Sequence, residues 1–271
     1  MAETLRRLAL VGGVATAVAA AGIATISISA TAEPGAAPAP ASVAPFIVGG
    51  EDTTTDEFPF VVALLSTGGQ QFCGGTLAAP NKVVTAAHCT VGEEPSAIKV
   101  AVGRTTMSSG EGTESAVTDI WVHPSYTDAA QGFDVSVLTL ETSVEQAPLE
   151  LASSADSALY EAGSETTILG WGLTSEGGSQ SDVLQKASVP VTSDDTCKTA
   201  YPEYTPDAMV CAGVDEGGID TCQGDSGGPL VAGGKLIGVT SFGQGCARPS
   251  FPGVYARVAA YHDDLQAQIG S

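Results

Sequence analysis

Three short islands carry the residues that could do chemistry. DTCQGDSGGP (Asp220–Pro229) sets Ser226 among glycines, with Asp220 and Asp225 close by. TAAHC (Thr85–Cys89) offers His88, and GFDVSVL (Gly132–Leu138) offers Asp134 at the mouth of an apolar run. A serine hydroxyl is inert at neutral pH until a base takes its proton. The base in turn needs an acid to hold its tautomer and stabilise its cation. Taken singly, each residue has a plain structural reading: the histidine as a packed side chain, the aspartate and the serine as turn residues. Taken together they offer a nucleophile, a base and an acid. The stretch Gly224–Gly228 also satisfies G-x-S-x-G, the nucleophile elbow of a different hydrolase fold. That fold needs an acid and then a histidine after the serine. Only 45 residues follow Ser226, and their one histidine, His262, falls in a helical pattern, so the elbow is disfavoured.

His88 and Asp134 lie 138 and 92 residues before Ser226, so only a tertiary fold can bring the three together. Short apolar or alternating runs recur between Gly, Asp, Ser and Pro punctuation: FPFVVALL, NKVVTAAH, AIKVAVGR, DVSVLTL, TTILGWG, LQKASVPV, GPLVAGGKLIGVTSFG and GVYARVA. They read as strands of an all-β barrel or sandwich. No alternation of strand and long helix supports a parallel α/β sheet. Only the end reads as helix, with Val258, Tyr261, Leu265 and Ile269 three to four residues apart. A polar, strand-poor seam at Pro148–Ala158 divides two β halves.

The chain has 271 residues, 43% of them apolar and 15% charged, which excludes a disordered chain. Residues 1–32 read as a secretory signal peptide: Arg6 and Arg7, an apolar stretch, then Ala30-Thr31-Ala32. Residues 33–46 are Pro/Ala-rich and read as a pro-segment. The six cysteines, Cys73, Cys89, Cys197, Cys211, Cys222 and Cys246, then imply three disulfides in a secreted, extracellular protein. Their spacing suits no metal, and fifteen pairings are open to them. Past residue 46 the chain holds 8 Lys and Arg against 29 Asp and Glu. Such a charge repels nucleic acid and anionic lipid and attracts cationic partners. No membrane association is expected once the signal is removed.

His88 in TAAHC, Asp134 before its strand and Ser226 in GDSGGP, in that order, resemble the chymotrypsin/trypsin family of serine endopeptidases. The resemblance spans residues 47–271 and includes IVGG (Ile47–Gly50), CGGTL (Cys73–Leu77), GWG (Gly170–Gly172), SFGQGC (Ser241–Cys246) and PGVY (Pro252–Tyr255). It implies two six-stranded antiparallel β-barrels, about 47–150 and 151–257, and a C-terminal helix at about 258–269. In the implied mechanism Ser226 attacks the carbonyl, His88 shuttles the proton and Asp134 orients His88. The N–H groups of Gly224 and Ser226 form the oxyanion hole. Ser241 supports the triad acid, and Ser241, Phe242 and Gly243 meet the substrate backbone. Asp220 is the carboxylate at the floor of the specificity pocket, with Gly243 and Gly253 keeping its walls small. The implied substrates are proteins or peptides cut after Arg or Lys.

The resemblance further implies that Asp225 pairs with the α-amino group of Ile47, released when a precursor is cut between Phe46 and Ile47. A pocket floored by Asp220 suits Phe46 poorly, so a separate activating protease is expected. The implied disulfides are Cys73–Cys89, Cys197–Cys211 and Cys222–Cys246, each contributing about 2–4 kcal/mol. The protein is expected to act as a monomer without a cofactor. A structural calcium stays open, although Glu111 and Glu114 in the Arg104–Ser115 stretch read as solvated. Departures from the family pattern are Phe242 for tryptophan, Thr221 beside Asp220 and Ser136 in the Asp134 strand. His123 and His262 read as structural. Two other readings stand beside this one: a catalytically inactive homologue that binds partners, and a peptidase of broader specificity.

Overall fold

The computed structural model describes residues 47–271. The signal-peptide and pro-segment expectations fall on residues 1–46, outside the described residues. Six strands form a closed barrel: β2 (Val61–Ser66), β3 (Gln71–Ala79), β4 (Lys82–Thr85), β5 (Ile98–Val102), β6 (Thr113–Val122) and β7 (Ser136–Leu140), following β1 (Glu51–Asp52) in the chain. Their order around the ring is β2-β3-β4-β7-β6-β5.

The second sheet is built from β8 (Glu150–Leu151), β9 (Glu165–Gly170), β10 (Gln185–Pro190), β11 (Met209–Ala212), β12 (Pro229–Ala232), β13 (Lys235–Phe242) and β14 (Gly253–Arg257). Six of these run β10-β9-β12-β13-β14-β11. A single antiparallel bridge, Val191 to Ala212, returns β11 to the end of β10. Thr192 N donates to Cys211 O at 2.9 Å and Gly213 N to Pro190 O at 3.0 Å to hold it. Two barrels are therefore present as expected, the second closed by a narrower seam than the first. β1 adds to the outer edge of β10. The chain's first described residues thus lie with the second ring, although the sequence placed them with the first. Burial of the Ile47 side chain in the second core accounts for this.

The alternation heard in the sequence is half-buried strand. β10 leaves Lys186 half-buried, exposes Ser188 and buries Gln185, Ala187 and Val189. β2 is buried at five successive positions because it serves two faces: the first core continues into Leu169, Trp171 and Leu184 of the second half. Helix α1 (Asp194–Ala200) carries Cys197, and helix α2 (Val258–Ile269) ends the fold. α2 buries Val258, Tyr261 and Leu265, as its spacing implied. The three disulfides pair as the resemblance implied: Cys73–Cys89, Cys197–Cys211 and Cys222–Cys246.

Candidate active site

Register places the first two islands. β4 and β7 are antiparallel neighbours, with Thr85 opposite Ser136. His88 leaves the end of β4 three residues later, and Asp134 enters β7 two residues earlier, so both emerge at the same rim. Asp134 is almost fully buried (1% exposed) and is used throughout. Its Oδ2 pairs with His88 Nδ1 at 2.8 Å, and its Oδ1 accepts the backbone N–H of His88 at 2.9 Å. Ser241 Oγ donates to Oδ2 at 2.5 Å. The carboxylate thus grips His88 by ring and backbone together, which fixes the ring's orientation. Ser136 contributes from the same strand. Its Oγ donates to Trp121 O and accepts from Thr90 Oγ1, both at 2.8 Å, bracing the turn that follows His88.

Ser226 lies across the junction of the barrels. Its carbonyl accepts the N–H of Gly74 at 2.7 Å, and the Gly74 carbonyl accepts Thr85 Oγ1 at 2.8 Å. The nucleophile candidate is thereby tied to the strand that leads into His88. No hydrogen bond joins Ser226 Oγ to His88 among the described residues; such bonds tighten when substrate arrives. In the loop around Ser226, the N–H groups of Asp225, Gly227 and Gly228 donate to Cys222 O, Thr240 O and Asp225 O. Those of Gly224 and Ser226 have no protein acceptor among the described residues.

A cavity of about 190 Å³ opens beside Ser226. Its lining includes Asp220, Thr221, Ser241, Phe242, Gly243 and Gly253, so all five of the expected pocket residues meet there. Asp220 is buried (6% exposed). Thr221 N donates to its Oδ1 at 2.8 Å and Ala247 N to its Oδ2 at 3.0 Å. Burial pushes its carboxyl up to about 6, against the pull of those two N–H groups. Among the described residues no cationic side chain pairs with it. A Cβ at Gly253 would stand 2.8 Å from Asp220 Oδ1, so only glycine leaves the carboxylate accessible there. Phe242 meets Tyr201 edge-on at 5.5 Å, which holds the smaller aromatic in place.

Asp225 turns away from this cavity and is fully buried. Gly172 N and Cys222 N donate to it at 2.7 and 2.9 Å. Burial still pushes its carboxyl up to about 7. It therefore forms no part of the His88 network, in keeping with its separate expected task.

Two features were missed or misread in the sequence, and one structural reading agrees with the packing. Glu114 is not merely solvated: buried Arg104 donates to its Oε1 at 3.0 Å and to Glu111 O at 2.8 Å, closing the loop around a guanidinium. Gln71, an ordinary glutamine, donates to the Gly224 carbonyl, and Gln180, another, donates to Gln71. His123 is packed between Phe133, Trp121 and Tyr261 and reaches Asp264 at 3.3 Å, as a structural histidine should.

A half-buried histidine paired with a buried aspartate and a glycine-flanked serine on the rims of two β-barrels, beside a carboxylate-floored cavity, define a serine-type hydrolase. Comparison with known proteins gives the family. The trypsin family model matches residues 47–264. A trypsin from Saccharopolyspora erythraea is 69% identical over 225 residues, covering 83% of this chain and 99% of that one. Trypsin-1 of Astacus astacus is 40% identical, covering 82% and 99%. A vitellin-degrading protease of Bombyx mori is also 40% identical, covering 82% and 85%. The chain belongs to the trypsin family and is a serine endopeptidase acting on protein substrates.

Proposed function

We propose that the protein cuts peptide bonds after Arg or Lys through an acyl-enzyme on Ser226. The observation that carries this is Asp220: a buried carboxylate without a cationic partner among the described residues, facing a cavity that also holds Ser226. A lone buried carboxylate is costly, so the pocket favours a side chain that brings a positive charge. His88 takes the Ser226 proton as the hydroxyl oxygen bonds to the substrate carbonyl carbon. Asp134 stabilises the imidazolium that results. The carbonyl oxygen becomes an oxyanion between the free N–H groups of Gly224 and Ser226. His88 then returns the proton to the leaving amine, the C–N bond breaks, and water clears the acyl group by the same steps. Hydrolysis of peptides with Arg, Lys, Phe or Ala before the cut tests this. Cleavage after Arg and Lys is expected. Cleavage after Phe with none after Arg would refute the specificity, and no cleavage by the mature protein would favour an inactive homologue.

We further propose that the protein is exported as a precursor and activated between Phe46 and Ile47. In the uncut chain the Ile47 nitrogen is a peptide nitrogen and carries no charge, while Asp225 lies buried with a raised carboxyl. Ile47 is also held at φ 42°, a region costly for a β-branched residue, and that dihedral disappears when the bond to Phe46 is cut. Phe46 cannot pair with Asp220, so a different protease makes the cut. N-terminal sequencing of the secreted protein should find Ile47. A purified precursor that converts itself promptly at Phe46–Ile47 would refute the separate activator. The mature enzyme is expected to be a monomer free of the membrane; no helix among the described residues is long and apolar enough to span one.

A further inference from the structure

The two peptide groups that flank Gly224 are both held by their carbonyls. The Gln223 carbonyl accepts Leu173 N at 2.8 Å. The Gly224 carbonyl accepts Gln71 Nε2 at 2.7 Å, from the first barrel, 153 residues away in sequence. Gln71 is buried (7% exposed) and its amide is fully used. Nε2 also donates to Cys73 O at 3.0 Å, and Oε1 accepts Gln180 Nε2 at 2.7 Å. Gln180 Nε2 makes a second, longer bond to Gln71 O at 3.3 Å. Leu173 and Gln180 face each other as a bridge pair, so one hairpin supplies both Leu173 N–H and the Gln180 amide.

A trans peptide is planar, so fixing its carbonyl fixes the N–H on the opposite side. Leu173 therefore sets the plane that carries Gly224 N–H, and Gln71 sets the next one. Between them Gly224 sits at φ +99°, and a Cβ there would stand 2.7 Å from Gln180 Nε2. This backbone shape favours glycine, and the glutamine pair packs directly against it.

We propose that Gln71 and Gln180 are positioning residues: Gln71, held by Gln180, clamps the Gly224 carbonyl and so fixes the peptide after Gly224, which keeps Gly224 at its φ of +99° and its N–H, in the plane that Leu173 sets, aimed at the developing oxyanion. The inference rests on the reading of Gly224 N–H as an oxyanion donor. It assigns the two glutamines to the transition state and not to substrate binding. Neither lines the Asp220 cavity.

The test compares the mature enzyme with Gln71→Leu, Gln180→Leu and the double variant. Gln180 is exposed, so its substitution leaves the fold safe if Gln71→Leu expresses poorly. Three quantities are read: kcat and KM on an arginine peptide amide, inhibition by benzamidine, and inhibition by a peptide with a C-terminal arginine aldehyde. Benzamidine fills only the pocket. The aldehyde accepts Ser226 Oγ at its carbonyl carbon, and its carbonyl oxygen moves into the hole. Loss of an oxyanion donor costs about 100- to 1,000-fold in kcat, and a misdirected donor less. We expect Gln71→Leu to lower kcat and aldehyde affinity together by about 10- to 100-fold, with benzamidine binding within about twofold of wild type. Gln180→Leu should act in the same direction and less strongly. The double variant should be no worse than Gln71→Leu by more than about twofold, because the residues act as one unit. Unchanged aldehyde affinity would overturn the inference, as would benzamidine and aldehyde weakening equally. A wild-type enzyme bound by neither ligand would instead overturn the proposed function.

Discussion

Asp220 offers a test of the pocket that needs no catalysis. Burial raises its carboxyl from an ordinary 3.8 to about 6. A bound cation favours the ionised form, so the carboxyl of the complex titrates well below that of the free protein. Cation affinity must then fall as pH drops through 6. The size follows from the free protein's protonation alone. At pH 5 a carboxyl of pKa 6 is about 90% protonated, so the dissociation constant of benzamidine should be about 10-fold weaker than at pH 8. At pH 7 the loss should be only about 10%. At pH 5 binding should also release about 0.9 proton, which calorimetry in buffers of different ionisation enthalpy reads directly. Asp220→Asn isolates the group from His88 and from every other titrating residue. It should weaken benzamidine at pH 8 by about 3–5 kcal/mol, the usual result of removing one partner of a buried ion pair. It should also flatten the pH dependence. A benzamidine affinity constant from pH 5 to 8 in the wild type would refute the reasoning, because the buried carboxylate would then be ionised without help. A pH dependence that survives in Asp220→Asn would assign it to another group.

Three further outcomes follow from the structure. Arg104→Met leaves Glu111 O without its buried donor, so unfolding free energy should fall by about 1–3 kcal/mol and the melting temperature with it; with a guanidinium already in that loop, neither calcium nor a chelator should move the wild-type melting temperature. Self-digestion should be slow and should begin at Lys198–Thr199, exposed in the last turn of the short helix α1: Lys82, Lys99, Lys186, Lys235 and Arg257 lie in strands, Arg104 is buried, and Arg248 precedes Pro249. Mass spectrometry after long incubation should find two chains joined by Cys197–Cys211 and separated only on reduction; an earlier cut elsewhere would count against this. In the precursor, Asp225 binds its proton more tightly folded (about 7) than unfolded (about 3.8), so its stabilising contribution is full below 3.8 and is lost as pH rises to 7. Between pH 4 and 7 a Ser226→Ala precursor should therefore lose up to about 4 kcal/mol that the cleaved form, with its Ile47 ammonium, retains; denaturant curves that run parallel for the two forms would refute it.

The sequence reveals this fold and site unevenly, for physical reasons. Strands announce themselves where one face is wet, as in β10, because period-two burial is written into residue type. The charge-bearing islands are legible because chemistry restricts them to few residue types. What the sequence does not carry is the partner of an ordinary polar side chain. Arg104 and Glu114 are ten residues apart, a spacing that suits no regular element, and they meet only because the loop folds back between β5 and β6. Gln71 opens a strand and Gln180 closes a hairpin, and nothing local marks either. Their meeting at Gly224 depends on how the two barrels pack.

The same packing explains why the reactive groups are so far apart in sequence. His88 and Asp134 share a rim because β4 and β7 are neighbours in register, so the first barrel alone can orient a base. Ser226, its free N–H groups and Asp220 belong to the second half, where β13 brings Ser241 alongside. Besides the Gln180–Gln71 bonds, two kinds of bond cross between these halves at the chemistry among the described residues. Ser241 Oγ reaches back to Asp134, and Gln71 and Gly74 reach forward to Gly224 and Ser226. Each of these bonds ends on a group that sets an orientation: the acid behind the base, the carbonyl behind the oxyanion donor, and the backbone of the nucleophile. A small rotation of one barrel against the other would therefore misalign base, nucleophile and oxyanion donors together. Loss of barrel packing, as with a truncation of buried Trp171, should for that reason lower kcat more than it weakens benzamidine, whose pocket lies within one half. Equal loss of both would mean that the halves do not act as separate rigid bodies.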